Sequence, residues 1–402
     1  MKKTYLIIAA TALTALSACT KNEVRPVSEG PAQITWQTVI GPKSTKALVE
    51  GTKFSTDYKF KTYAFYNANG TTWPNNASLY IDNAEVSYHK DAVSPFVENS
   101  WHADQVYYWP KGGSLTFISY TIVDSDKKAT SYPTNVSCDA AAGLTVTGYN
   151  VDADANKNRD FMVAYATGQT ANTTSSAKNE KGVPTAFKHA LTQIVGFNVT
   201  TNDDYKKEDN GVIKAGSYVI KINEIKIVNP YNKGDYSLKD NATGTWNSSK
   251  YTDAGDKSTY AYKTSDGNPA ELSKTTAVSL ANEQKAFVPQ TFAEPSYKFT
   301  GTTEAEKAIE KRTQAYINAV KAVPHVELSY TTDYYREDDK VAFSDVATEY
   351  VPLSDINKDG WGINKKITYN VTISLAGTQN EFIIYWDPTV ENWTEETGTI
   401  TI

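Results

Sequence analysis

At 402 residues the chain is long enough for two packed cores, and 46 acidic against 40 basic residues give it a formal net charge of −6. An acidic chain with no basic patch excludes nucleic acid as the partner. Cys19 and Cys138 are the only cysteines, so once one is committed elsewhere no internal disulfide forms and stability comes from packing.

The chain opens with Lys2 and Lys3, a mostly apolar run over 6–16, and small residues leading into Cys19. That order reads as a signal peptide over 1–18 with Cys19 as the lipidated residue, and the apolar run is too short for a transmembrane helix. The mature chain carries −8 after Lys2 and Lys3 leave. Period-two alternation then recurs at Ile34-Trp36-Thr38-Ile40, Leu115-Phe117-Ser119-Thr121 and Ile367-Tyr369-Val371-Ile373-Leu375. It predicts strands with one face toward a core and the other toward solvent. Polar stretches over 167–184 and 243–268 predict surface loops, and the sum predicts β-sandwich modules. One segment, 303–323, has helical spacing at Ala305, Ala308, Ile309, Arg312, Tyr316, Val320 and Val323. Thr303 and Glu306 form a capping box and Pro324 a stop, which predicts a single amphipathic helix laid on a sheet.

Few residues suggest chemistry. His89, His102, His189 and His325 lack metal-ligand spacing, and neither a nucleophile elbow nor a phosphate-binding loop is present. Asp355, Asn357, Asp359 and Gly360 match the opening of a calcium loop, but Lys366 stands where the bidentate glutamate belongs. The run Asp152, Asp154, Asn156, Asn158, Asp160 has Lys157 at the glycine position. Exposed Asx turns account for both. Trp101, Tyr107, Tyr108, Trp109, Trp386 and Trp393 could stack sugars, but alternation places some of them on the faces of core aliphatics, and core packing is the favoured reading.

The segment Trp101 to Tyr120, with Tyr107-Tyr108-Trp109-Pro110 at its centre, resembles a hairpin of fimbrillins, the pilus subunits and pilus-associated lipoproteins of Bacteroidales. Asp160-Phe-Met-Val-Ala164 with Phe187-Lys-His189-Ala-Leu191 resembles a second signature of that family. Thr45 to Thr52 resembles its processing point, and 369–375 through Val390-Glu-Asn-Trp393 its closing strands. The resemblance spans nearly the whole chain. It implies a mainly β fold of two tandem Greek-key, transthyretin-like β-sandwich domains, here with one amphipathic helix in the second half. The segments would be 1–18 (signal), 19–46 (lipidated segment with a removable strand), 47–192 and 193–402 (the two domains).

The resemblance further implies export to the outer membrane as a lipoprotein, cleavage by a trypsin-like protease, and polymerisation by donor-strand exchange with other fimbrial subunits. Neither cofactor nor catalytic residue is required. Processing falls at Lys46 or, second, Lys43; many family members carry arginine there. Arg25 precedes the strand, so a protease that demands arginine would leave the subunit as an anchor or accessory. The removable strand would be 33–41 with Ile34, Trp36 and Ile40 inward. The donor strand would be 397–402 with Ile400 and Ile402, or alternatively 381–386. The polymer would support adhesion to a host or bacterial surface ligand. The alternatives are a pilus anchor or tip subunit, and a monomeric surface lipoprotein that binds glycans through exposed aromatics.

Overall fold

The computed structural model describes residues 32–40, 54–92, 96, 98–124, 129–151, 159–171, 182–240, 243–282, 286–376 and 381–392. The first strands are β1 (Trp36–Ile40), β2 (Phe60–Asn67), β3 (Ser78–His89), β4 (Ser100–Ala103) and β5 (Ser114–Asp124). The short β6 (Ala129–Ser131), β7 (Val136–Asp139) and β8 (Gly143–Asn150) follow, then β9 (Arg159–Gln169) and β10 (Val183–His189). The order β2-β3-β4-β1-β10-β9-β5, with β2 paired to β5 as well, closes seven strands into a barrel-like ring. The sequence suggested an open sandwich here. The ring arises because β2 spends both edges, Phe60–Tyr66 on β3 and Lys61–Asn67 on β5.

The ring fills with aromatic side chains, among them Trp36, Phe60, Trp101, Phe117 and Phe187. Its outer face is not left to water. β15 (Lys233–Leu238) and β16 (Thr245–Asn247) pair with β8 and β7 into a four-stranded sheet, order β16-β15-β8-β7. Beneath that sheet lie Tyr63, Ile118, Tyr120, Leu144, Phe161 and Tyr236. This corrects the expectation for β5: Leu115 and Phe117 face the ring interior, while Ile118 and Tyr120 are equally buried on the other face. A strand covered on both sides loses the one-wet-face meaning of its alternation.

In the second part, β11 (Thr192–Thr201) and the two-residue strands β12 (Glu208–Asp209) and β13 (Val212–Ile213) precede β14 (Ser217–Tyr231). After the four-stranded sheet come β17 (Lys257–Tyr262), β18 (Ala270–Glu271), β19 (Val278–Leu280) and β20 (Ala286–Phe287). Two helices, α1 (Glu304–Glu310) and α2 (Gln314–Lys321), lead to β21 (His325–Glu337) and β22 (Lys340–Pro352). A last helical turn, α3 (Leu353–Ile356), precedes β23 (Lys365–Ala376) and β24 (Glu381–Asn392). Sheets β19-β11-β23-β24 and β17-β14-β21-β22 face each other across Phe197, Ile222, Ile225, Tyr262, Leu328 and Tyr369. That half is a β-sandwich. The alternation read over 367–373 is the inner face of β23, with Ile367, Tyr369, Val371 and Ile373 all buried.

The single helix expected over 303–323 is two. Thr303 and Glu306 do form the capping box, and α1 ends at Glu310. Thr313 then caps a second start by accepting from the Tyr316 N–H. That second cap turns the axis, so only Tyr316 and Val320 of the expected stripe are buried within the helices, while Ile309 is 68% exposed.

Two polar contacts sit inside the first half. Asp160 on β9 and His189 on β10 meet at 2.6 Å with both side chains wholly buried. Both residues belong to the second signature, one in each of its two segments, brought together because His189 pairs in register with Met162. Removing one member of such a pair costs about 3–5 kcal/mol, since the other keeps its desolvation penalty without its partner. His189→Ala is therefore expected to lower unfolding free energy by that amount in urea titration; a loss below about 1 kcal/mol would contradict it.

The second contact is a stack in which the rings of His89 on β3 and Phe96 each lie 3.7 Å, centroid to centroid, from the ring of His102 on β4. His102 donates through Nδ1–H to Ala103 O, 3.0 Å away. Burial holds His89 below its ordinary imidazole value, the nearby His102 and Lys59 push the same way, and Asp104 opposes them. A folded-state value below the unfolded 6.5 means the unfolded chain takes its proton first. Stability is then intact above that value and declines as pH falls through it toward the lower folded value. Melting followed from pH 7.5 to 4.5 should show less acid loss in His89→Gln than in the parent; parallel curves would refute the assignment.

Candidate functional site

The feature that singles out one place in the molecule is how the ring closes at β1. Residues 32–40 are separated from β2 by chain outside the described residues, yet β1 fills the gap between β4 and β10. On one side, Trp36 to Ile40 run parallel to Val183 to Phe187. On the other, contact is thin: Trp36 faces Trp101, and Gln33 bridges Tyr108. Two bonds fasten this side, Ile34 N–H to Tyr107 O and Trp109 N–H to Ala32 O, both 2.8 Å. The Tyr-Trp-Pro stretch is thus a clasp on the N-terminal segment.

Side chains do most of the holding. Ile34 and Trp36 are 1% and 2% exposed. The Trp36 ring meets Phe60 at 6.4 Å and Phe117 at 6.2 Å, both edge to face. Phe54, the first described residue after the gap, stacks on Phe187 at 4.6 Å and tilts on Trp101 at 5.5 Å. Each large apolar side chain buried this way contributes about 1.5–3 kcal/mol. Against that, the buried Trp36 indole N–H has no hydrogen-bond partner among the described residues, a cost of about 1–3 kcal/mol.

The approach of β1 to β10 depends on Gly182. Its φ is +99°, and a Cβ there would sit 2.7 Å from the backbone of Thr35 and Trp36. Only a residue without a side chain permits both the conformation and the contact. The sequence reading had no signal for this glycine, because the strand it admits lies some 145 residues earlier in the chain.

The other predicted residues are distributed as follows. Ile40 pairs through its backbone with Phe187. Cys19, Arg25, Lys43, Lys46, Trp393, Ile400, Ile402 and Asp152 to Asn158 lie outside the described residues. The alternative donor 381–386 is the first half of β24, paired in register to β23 from Glu381 to Asn392 and lying at the sheet edge. In the calcium-like loop, Asn357 accepts from the Tyr369 hydroxyl, and Asp355 lies 3.8 Å from Lys311. Burial raises the Asp355 carboxyl above its usual range, with Lys311 opposing and Glu294 adding to the rise. Among the described residues no group of three or more His, Cys, Asp or Glu is placed to hold a metal ion.

Of the aromatic residues weighed for sugar stacking, Trp101 and Trp109 are core: each is 7% exposed and packed into the ring, Trp109 edge-on to Phe117. Strand pairing at β4 and the clasp on residues 32–34 turn both inward. Tyr108 is exposed and Tyr107 half-buried, while Trp386 is half-buried against the sandwich core.

No family model and no curated protein matches the sequence. Solved structures do. A fimbrial protein of Bacteroides vulgatus is 14% identical, with 90% of this chain and 99% of that one covered at a TM-score of 0.50. A candidate cell adhesion protein of Parabacteroides distasonis is 13% identical, covering 90% and 100% at 0.41. The C-terminally truncated tip fimbrial protein Mfa3 of Porphyromonas gingivalis is 11% identical, covering 87% and 98% at 0.33. The latter two likenesses are too loose to bear on the fold. The first is a shared fold, so this chain has the architecture of that Bacteroides vulgatus fimbrial protein.

Proposed function

We propose that this chain is a non-enzymatic structural subunit of a cell-surface fimbria, exported as a lipoprotein on Cys19 and assembled by donor-strand exchange. The observation that carries the proposal is the closure of the ring by β1. A stave that is fastened on one side by Trp36↔Trp101 and two further bonds, and that buries Ile34 and Trp36, can be withdrawn from its neighbours. Its departure opens an aromatic groove bounded by two unpaired edges, β4 and β10. An extended strand from another subunit restores both terms at once, backbone pairing with the edges and side-chain plugs for the vacated pockets.

On this reading the outer-membrane lipid anchor holds the chain until a trypsin-like protease cuts at Lys46 or Lys43. The segment carrying Cys19 and β1 then leaves. The donor is 397–402 with Ile400 and Ile402 as plugs, since 381–386 is engaged with β23. The mature chain divides into Greek-key units 47–192 and 193–402, with β7–β8 and β15–β16 pairing across that division. Adhesion is a property of the polymer and of the partners it displays.

Limited trypsin digestion of residues 20–402, followed by intact mass and size-exclusion chromatography, tests the mechanism. The expected result is a cut after Lys46 or Lys43 with oligomers that resist mild denaturant, abolished in the Lys43→Ala/Lys46→Ala double variant. A cut product that stays monomeric would sink strand exchange. A second experiment needs no protease. Gly182→Ala places a Cβ against the Thr35–Trp36 backbone, so it should expel β1 and make Trp36 accessible to acrylamide. Unchanged quenching and melting in that variant would show that β1 is not held as described.

A further inference from the structure

Away from the seam, a cleft of about 710 Å³ opens where β16 meets the extended chain 289–293 and the turn 361–363. That volume lies in the range of small-ligand sites. Its lining is unusual for this molecule: Asp, Glu, Lys and Arg are 21% of the chain, and among the described residues none of them lines the cleft. The half-buried Tyr231, Trp246 and Phe292 supply aromatic surface over the buried Trp361, while Asn247 and Thr291 head the hydroxyl and amide side chains around them.

The cleft is also held in shape. Gln290 and Trp361 exchange backbone bonds at 3.0 and 2.8 Å. The Gln290 side chain accepts from the Tyr231 N–H at 2.9 Å and donates to Tyr231 O at 3.0 Å. The Trp246 indole N–H donates to Ala190 O at 2.6 Å, and Phe292 packs edge-on to Trp361 at 5.0 Å. Aromatic groups fixed before binding reduce the ordering cost of taking up a ligand.

The geometry points to a neutral oligosaccharide as the ligand: we propose that this cleft is a glycan-binding site. Absence of charge disfavours anionic and cationic ligands, which would be desolvated without a counter-charge. Sugar rings offer C–H faces to aromatic rings and hydroxyls to amides and hydroxyls, the two chemistries that line the walls. An added peptide strand fits poorly, because strand addition needs a run of free backbone groups on one wall. β16 is only three residues long, Pro289 has no N–H, and the Gln290 backbone is spent on Trp361. The inference gives a ligand class to the adhesive part of the fimbrial reading and rests on it.

The test is tryptophan emission of the uncut monomer, residues 20–402, titrated with cello-, malto-, manno- and chitohexaose, with hexagalacturonate as the acidic comparison. At least one neutral hexasaccharide should bind saturably and hexagalacturonate should not. Ser249→Arg and Thr291→Arg, at exposed positions on the two rims, should weaken binding by at least about tenfold with melting unchanged. The proposal is overturned if no neutral sugar binds, if both arginine variants bind as the parent does, or if a peptide of residues 393–402 binds where sugars do not. Because the readout is on the uncut monomer, its failure is separate from failure of protease-triggered assembly.

Discussion

The ring closes through one insertion, the side chains of Ile34 and Trp36 entering between β4 and β10. Everything else in the first half follows from filling a seven-stranded ring with aromatics. Phe60, Trp101, Phe117 and Phe187 touch one another or Trp36, so the interior is a connected set of rings rather than a layer between two separate sheets. Such an interior tolerates a change of plug better than a change of wall. The walls are set by ladders such as β5–β9, which runs from Leu115 to Asp124, whereas β1 touches β4 at a single residue pair.

The outer layer explains why the ring is rigid enough to offer a preformed groove. β15 and β16, from the later part of the chain, lie with β7 and β8 over the ring's back, and Phe161 meets Tyr149, Tyr236 and Trp246 there within 6.2 Å. The buried Asp160–His189 contact pins β9 to β10 beside the seam. If β1 leaves as proposed, one edge of β10 is bared while its other edge stays bonded to β9. The same covering sheet ends at β16 and forms one wall of the uncharged cleft.

Much of the strand content was legible because burial on one face leaves period two in the sequence. The stretch 34–40 and the stretch 367–373 both carry it; the first holds β1 with Ile34 and Trp36 buried, the second lies in β23 with Ile367, Tyr369, Val371 and Ile373 buried. What could not be read was pairing. Ring closure needs β2 against β5 and β1 against β10, contacts between segments about 50 and 147 residues apart, and neither leaves a local pattern. Burial of β5 on both faces is hidden for the same reason, since its second cover arrives with residues 233–247. The helix break was present as Thr313, a second capping residue, but the apolar spacing through Ile309 and Arg312 outweighed it. Trp101 and Trp109 follow the ordinary rule that aromatic strand residues are core, and the clasp on residues 32–34 supplies the contact that turns them inward.

These placements bear on which strand of such a molecule is exchangeable. β23 lies between β11 and β24 with ladders of nine and twelve residue pairs, and its inner face is in the sandwich core; removing it would split the sheet. β22 is an edge strand, but it carries the hairpin with β21 from His325 to Glu337 and is short-looped to it. β1 differs on each count. Its ladder with β10 is five residues and parallel, the less stable pairing per residue, and its other edge is nearly unbonded. It buries two large side chains yet leaves the Trp36 N–H unsatisfied, so under the proposed exchange an incoming strand with the same apolar plugs and no stranded donor would avoid that one polar cost.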